Sequence, residues 1–197
     1  MAMDKETFNI DSHHSYLTSC FKNKSDLWVK RVKVLNNVID NNINCLHVDV
    51  DIIINQNPFN YFKMLLLHYP SLNLFFGQGS IWPPEIYHKN GFVIRGGFHY
   101  TISTELSKTI WQQFCLDCEK FNDDQRAFNH VIDNLVEWGS SNDYYNEKYG
   151  NIEYKCYKTP IFGNIEKEEI IVLLPHNLFA RTKINGFKEC IVYHHER

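Results

Sequence analysis

A chain of 197 residues is long enough to bury one core and short for two, so a single domain over residues 1–197 is expected. A composition that is 44% hydrophobic and 15% aromatic is globular and excludes the disordered class. The formal charge of −3 comes with no broad basic field, which argues against nucleic acid as a partner. No apolar run reaches the ~18 residues of a membrane span, and the opening MAMDKETFNIDSHH lacks the basic-then-apolar pattern of a signal peptide. The expectation is a cytoplasmic chain with no membrane span. Its six cysteines read as buried free thiols of a reducing compartment; Cys115-Leu-Asp-Cys118 has no second Cys/His pair at zinc spacing.

Residues 26–40 place Leu27, Val34, Leu35 and Val38 at helical intervals, with Ser25 or Asp26 as the N-cap. Asn41-Asn42 gives a turn, and the β-branched run 43–54, INCLHVDVDIII, reads as one strand. A helix followed closely by a near-continuous apolar strand implies an α/β sheet covered on both faces. Short strands follow at 72–76 and 91–96, separated by a loop containing Trp82-Pro83-Pro84 and a turn at Asn90-Gly91. Helices are predicted over 104–118, with Leu106, Ile110, Phe114 and Cys118 on one stripe, and over 123–138, with Phe128, Val131, Ile132 and Leu135. Strands at 151–157, 169–174 and 189–194 complete a mixed α/β order, α-β-β-β-α-α-β-β-β.

The chemistry concentrates at Asp49-Val50-Asp51. Carboxylates at i and i+2 of an extended segment point to one side. At the end of a sheet strand they face the crevice where α/β proteins bind ligands. Two adjacent anions repel, and a divalent cation is the ordinary way to stabilise them. Such a cation keeps open positions for a diphosphate and acts on it as a Lewis acid. Taken alone, the same spacing also suits an acidic strand end at a turn.

The surrounding run LHVDVDIIINQNPFNYF (46–62) resembles the nucleotide-diphospho-sugar transferase family of GT-A glycosyltransferases, whose pattern is an apolar strand, D-x-D, then Pro-Phe. The similarity continues in order. Trp28 to Leu35 looks like the family's basic-aromatic helix, with Arg31 at its basic position, and NGFVIR (90–95) is similar to its N-x-G-F strand. Asp123-Asp124-Gln125 through Asn129 resembles its D-Q-x-x-x-N helix start, and VYHH (192–195) resembles a late strand ending in a metal-ligating His.

The resemblance implies a GT-A-like fold with a mixed, mostly parallel central sheet flanked by helices. It is N-terminally shortened, because only 48 residues precede Asp49. It implies a metal-dependent transferase moving a sugar from a nucleoside-diphosphate donor to a glycan, protein or small-molecule acceptor. Mn²⁺ or Mg²⁺ would be held by Asp49, Asp51 and one of His194 and His195. Val50 would lie with the aspartates at the nucleotide, Arg31 at the diphosphate, and Asn90 and Gly91 at the sugar. Asp124 and Gln125 would act on the reacting sugars, unless Asp124 or Asp123 merely caps the helix.

Two alternatives stand beside the transferase. One is a truncated or degenerate domain serving as a non-catalytic binding module. Another is a metal-dependent nuclease, for which further acidic ligands and a basic face are not evident. His47 reads as a core histidine. Trp82, Tyr87, Phe98 and Tyr100 read either as satellite core or as plates for an acceptor sugar.

Overall fold

The computed structural model describes residues 24–149, 151–181 and 189–194. In chain order these form α1 (Lys24–Asp40), β1 (Cys45–Val48), β2 (Ile52–Ile54), α2 (Pro58–His68), β3 (Leu74–Gln78), α3 (Pro84–Asn90), β4 (Ile94–Thr101), α4 (Glu105–Phe121) and α5 (Asp124–Leu135). There follow β5 (Glu137–Trp138), β6 (Tyr144–Tyr149), β7 (Ile152–Tyr157), β8 (Ile161–Ile165), β9 (Glu168–Leu173), β10 (Phe179–Ala180) and β11 (Val192–His194).

The helix starts follow from their residues. Asn57 caps α2 by accepting from the Phe59 N–H, and Pro58 fills the first turn, where its missing N–H is no loss. Thr104 and Ser107 form a reciprocal capping box on α4. Asp123 caps α5 through the Arg126 N–H at 2.9 Å. Helix α1 already includes Ser25 and Asp26, so neither is its cap. Asn42 turns the chain after α1 with φ 63°, a conformation asparagine tolerates better than most residues.

Six strands run in the order β1-β4-β3-β9-β8-β5. The architecture is mixed α/β, as expected, with a different balance of directions. β3 and β9 pair in parallel, whereas β1–β4, β4–β3, β9–β8 and β8–β5 are antiparallel. Near-continuous apolar strands report burial on both faces, and here both faces are covered without successive parallel crossovers. On one face α1, α4 and α5 pack Val32, Ile110, Trp111, Phe114 and Phe128 against Leu74 and Phe76. On the other, α2 and a small sheet of order β10-β11-β2 pack Phe62, Phe179 and Val192 against Phe75 and Phe98. Phe98 is thus core and no sugar plate. Strands β6 and β7 form a separate hairpin.

The 43–54 run is not one strand. It breaks at Asp49–Asp51, where the Ile52 N–H donates to the Asp49 carbonyl at 3.1 Å. β1 joins the large sheet and β2 the small one. β1 is also the end strand of that sheet among the described residues, not a central one. The apolar pattern is continuous because each half finds its own core, so periodicity alone could not show the turn.

Candidate functional site

The break between β1 and β2 lies against an irregularity in β4. Phe76 of β3 pairs with His99 and Gly77 with Arg95, so Gly96, Gly97 and Phe98 have no partners on β3. At Gly97 a Cβ would overlap the Asp49 carboxylate, and the Asp49 N–H donates to the Gly97 carbonyl at 2.8 Å. Asp49 is therefore moored in space that only glycine leaves open. The tight turn then exposes Val50 almost completely and swings Asp51 back. β2 next pairs with β11 in a register that sets Ile52 opposite His194. One ligand atom each from Asp49, Asp51 and His194 lies within 4.8 Å of the others. The two aspartates come within 4.8 Å of one another through a turn and not through strand pleating.

Charge surrounds this cluster. His47 Nε2 donates to Asp49 Oδ1 at 3.2 Å, and its ring stacks on His99 at 5.0 Å. Arg31 Nη1 donates to Asp49 Oδ1 at 3.0 Å, while Nη2 makes a very short contact with Asp124 Oδ2. The Arg31 guanidinium also lies over the Trp28 ring, 4.9 Å from its centre. Burial alone would push the Asp49 carboxyl up. The His47 hydrogen bond and the Arg31 charge outweigh it and leave the group at about 2. At Asp124 burial raises the carboxyl, with Arg31 opposing. His194 Nε2 stands 3.0 Å from Asp51 Oδ1. Burial, then the Arg95 charge, lowers its imidazole to about 4, so it is neutral near pH 7, as ligation requires.

Arg95 itself is fully buried, with Nη1 donating to the Ala180 carbonyl of β10 at 3.4 Å. Its Nε and Nη2 have no hydrogen-bond partner among the described residues. Burial, followed by the Arg181 charge, pulls the guanidinium down to about 9, against the opposing pull of Asp49, Tyr154 and Asp51.

The donor set fits a divalent cation. Two carboxylates and a neutral imidazole suit Mn²⁺ better than the all-oxygen preference of Mg²⁺.

Other expected site residues distribute differently. Asp123 is the helix cap, so Asp124, at the first position of α5, is left for Arg31 and for the Gln125 N–H at 2.8 Å. Gln125 is absorbed by backbone: Oε1 accepts from the Gly96 N–H at 2.7 Å, and Nε2 donates to the carbonyls of Ile94 and Trp82. Asn90 ends α3 and donates to Asp133 Oδ1 at 2.8 Å, and Gly91 is its left-handed C-cap at φ 76°. Asp133 is nine residues along α5 from Asp124, about 13 Å of helix, so the Asn90 contact falls toward the other end of α5. The Asn90-Gly91 turn signal reflects helix termination. His195 lies outside the described residues, as do His13 and His14.

Sequence reasoning missed His47, Gly97 and Arg95. His47 stands two residues before Asp49, the same spacing that flagged Asp51. Two glycines inside a strand pattern, Gly96-Gly97, are the signal of a bulge or close approach. A model of the family described as nucleotide-diphospho-sugar transferase matches residues 2–195. No curated protein matches the chain.

Proposed function

We propose that this chain, which belongs to the nucleotide-diphospho-sugar transferase family, carries out metal-dependent transfer of a sugar from a nucleoside diphosphate to an acceptor. The observation that supports this most directly is the convergence of Asp49, Asp51 and His194 within 4.8 Å. Those three residues hold Mn²⁺ or Mg²⁺. When bound, the cation supplies a Lewis acid for the departing diphosphate. Arg31, lying between Asp49 and Asp124, adds a positive group that a diphosphate can recruit. Asp124 is buried and held from two sides, a preorganised anion suited to the positive charge that develops at the anomeric carbon.

The second reading, a non-catalytic binding module, is favoured by one observation: Arg31 already pairs with both Asp49 and Asp124. The two readings separate by experiment. Thermal shift with UDP and with GDP, with and without Mn²⁺, tests binding; a ligand at 100 times its Kd adds about 2.7 kcal/mol. Nucleotide binding that needs Mn²⁺, lost in Asp51→Asn, together with hydrolysis or transfer from a sugar nucleotide, supports the enzyme. Binding without any turnover leaves the module.

A further inference from the structure

Trp82 is 47% exposed, an unusual state for the largest side chain, yet it is not loose. Its indole N–H donates to Asp123 Oδ2 at 3.1 Å, and its carbonyl accepts from Gln125 Nε2 at 3.2 Å. The next residue, Pro83, is buried. The other Asp123 oxygen caps α5 through the Arg126 N–H at 2.9 Å, so the indole is tied to the same carboxylate that starts the helix.

This places a fixed aromatic plate beside Asp123, the residue next to Asp124 in the chain. Consecutive Cα atoms are about 3.8 Å apart, less than the width of one sugar ring. Pairwise contacts link the two ends: His194 meets Asp51, Arg31 meets both Asp49 and Asp124, and Asp123, next to Asp124 in the chain, meets Trp82. The cation and diphosphate belong at the first end and the transferred sugar near Asp124. On the transfer reading, the ring next to the transferred sugar and nearest Trp82 is the acceptor's. With its N–H already used, Trp82 offers a ligand its apolar, electron-rich face, which matches the C–H face of a sugar ring. Polar groups follow three residues on in the chain: Glu85, at the start of α3, accepts from Arg126 at 2.7 Å and from His130 at 2.9 Å.

We propose that Trp82 is the stacking plate of an acceptor subsite and that the acceptor presents a sugar ring there. This rests on the transfer reading above.

The test uses the full chain with Trp82→Ala and Trp82→Phe; the Phe variant keeps a ring face and loses the N–H to Asp123. With a donor and a saccharide acceptor, Trp82→Ala should raise the acceptor KM and lower the partition between transfer and hydrolysis about tenfold. Trp82→Phe should recover most of that loss. Equal loss of transfer and hydrolysis, or no change in their ratio, overturns the subsite. A wild-type chain that neither hydrolyses nor transfers counts against the transfer reading instead. The subsite is then judged by saturation-transfer NMR with the methyl glycosides of glucose, galactose, mannose, xylose and N-acetylglucosamine. A signal that Trp82→Ala removes and Trp82→Phe restores supports it. No sugar signal, or one indifferent to Trp82, overturns it.

Discussion

At Asp124 two jobs that one carboxylate could do have been divided between neighbours. Asp123 holds the helix cap, and Asp124 faces Arg31. Asparagine at 124 keeps one acceptor oxygen, for the Gln125 N–H, and gives up the charge and the second oxygen that meet Arg31, which still has Asp49. Asp124→Asn should therefore lose no more than about 2 kcal/mol of stability, while transfer falls about a hundredfold, equivalent to ~2.7 kcal/mol. Melting temperature and turnover on the same variant decide it; a large melting shift with unchanged specific activity would make Asp124 purely structural. Gly97→Ala is the complementary case. Its methyl overlaps the Asp49 carboxylate, so the Mn²⁺-dependent thermal shift with nucleotide should be lost, whereas an unaffected shift would detach Asp49 from the cation. The aspartates were legible in the sequence because D-x-D in an apolar run is chemically conspicuous. The turn that brings them together was not, since β1 and β2 each carry core residues and the apolar pattern runs straight through.

Helix α5 works on β4 through side-chain amides. Asn129 accepts from the Ile94 N–H at 2.9 Å and donates to the Ile94 carbonyl at 2.9 Å, and Gln125 takes the Gly96 N–H one turn earlier. Spacing of i and i+4 puts both amides on one helix face, where they act as a substitute strand edge beside the bulge. Asn129 is buried, so Asn129→Leu leaves buried backbone groups unpaired and should destabilise the chain by about 2–3 kcal/mol, read from urea denaturation. A smaller loss would mean that β4 is held by its neighbouring strands alone. The Gln125/Asn129 spacing is visible in the sequence, where Gln125 reads as a sugar contact, because a polar helix start facing a crevice and one facing a strand read alike. The long amphipathic helices α4 and α5 were legible from their apolar stripes. Helix α2 was not: Asn57-Pro58 is a cap followed by a first-turn proline, and the same dipeptide is also a turn signal.

Across the whole molecule, stability should fall in mild acid. His176 is fully buried between the Tyr145 hydroxyl, 2.6 Å from Nδ1, and the Arg181 N–H, which donates to Nε2 at 3.3 Å. Burial, then the charges of Arg95 and Arg181, holds it down at about 3. The folded chain keeps this ring neutral while the unfolded chain protonates it below ~6.5. Its contribution is complete above that pH and is lost as pH falls toward 3, by up to about 1.4 kcal/mol per unit. Asp49, held at about 2, loses its contribution only below the ordinary carboxylate range. His194 and the buried His99 are depressed as well, so urea denaturation at pH 7 and pH 5 should show the loss and His176→Gln should remove only one group's share of its slope; an unchanged slope would place the acid sensitivity elsewhere.

The register of β11 against β2 carries one more consequence, for how protection against exchange is distributed. The ligand set joins residues 49 and 51 to residue 194, and the join is short: three residue pairs to β2 and two to β10. Such a seam can open while the core around Phe76 stays closed, and each opening separates the imidazole from the carboxylates without unfolding the chain. Mn²⁺ bound at all three would stitch the seam from one end. Amide protons of Val192, Tyr193 and His194 should then exchange more slowly with Mn²⁺ present, and those of α4 should hardly change. Uniform slowing across both regions would mean that the small sheet opens only when the whole molecule does.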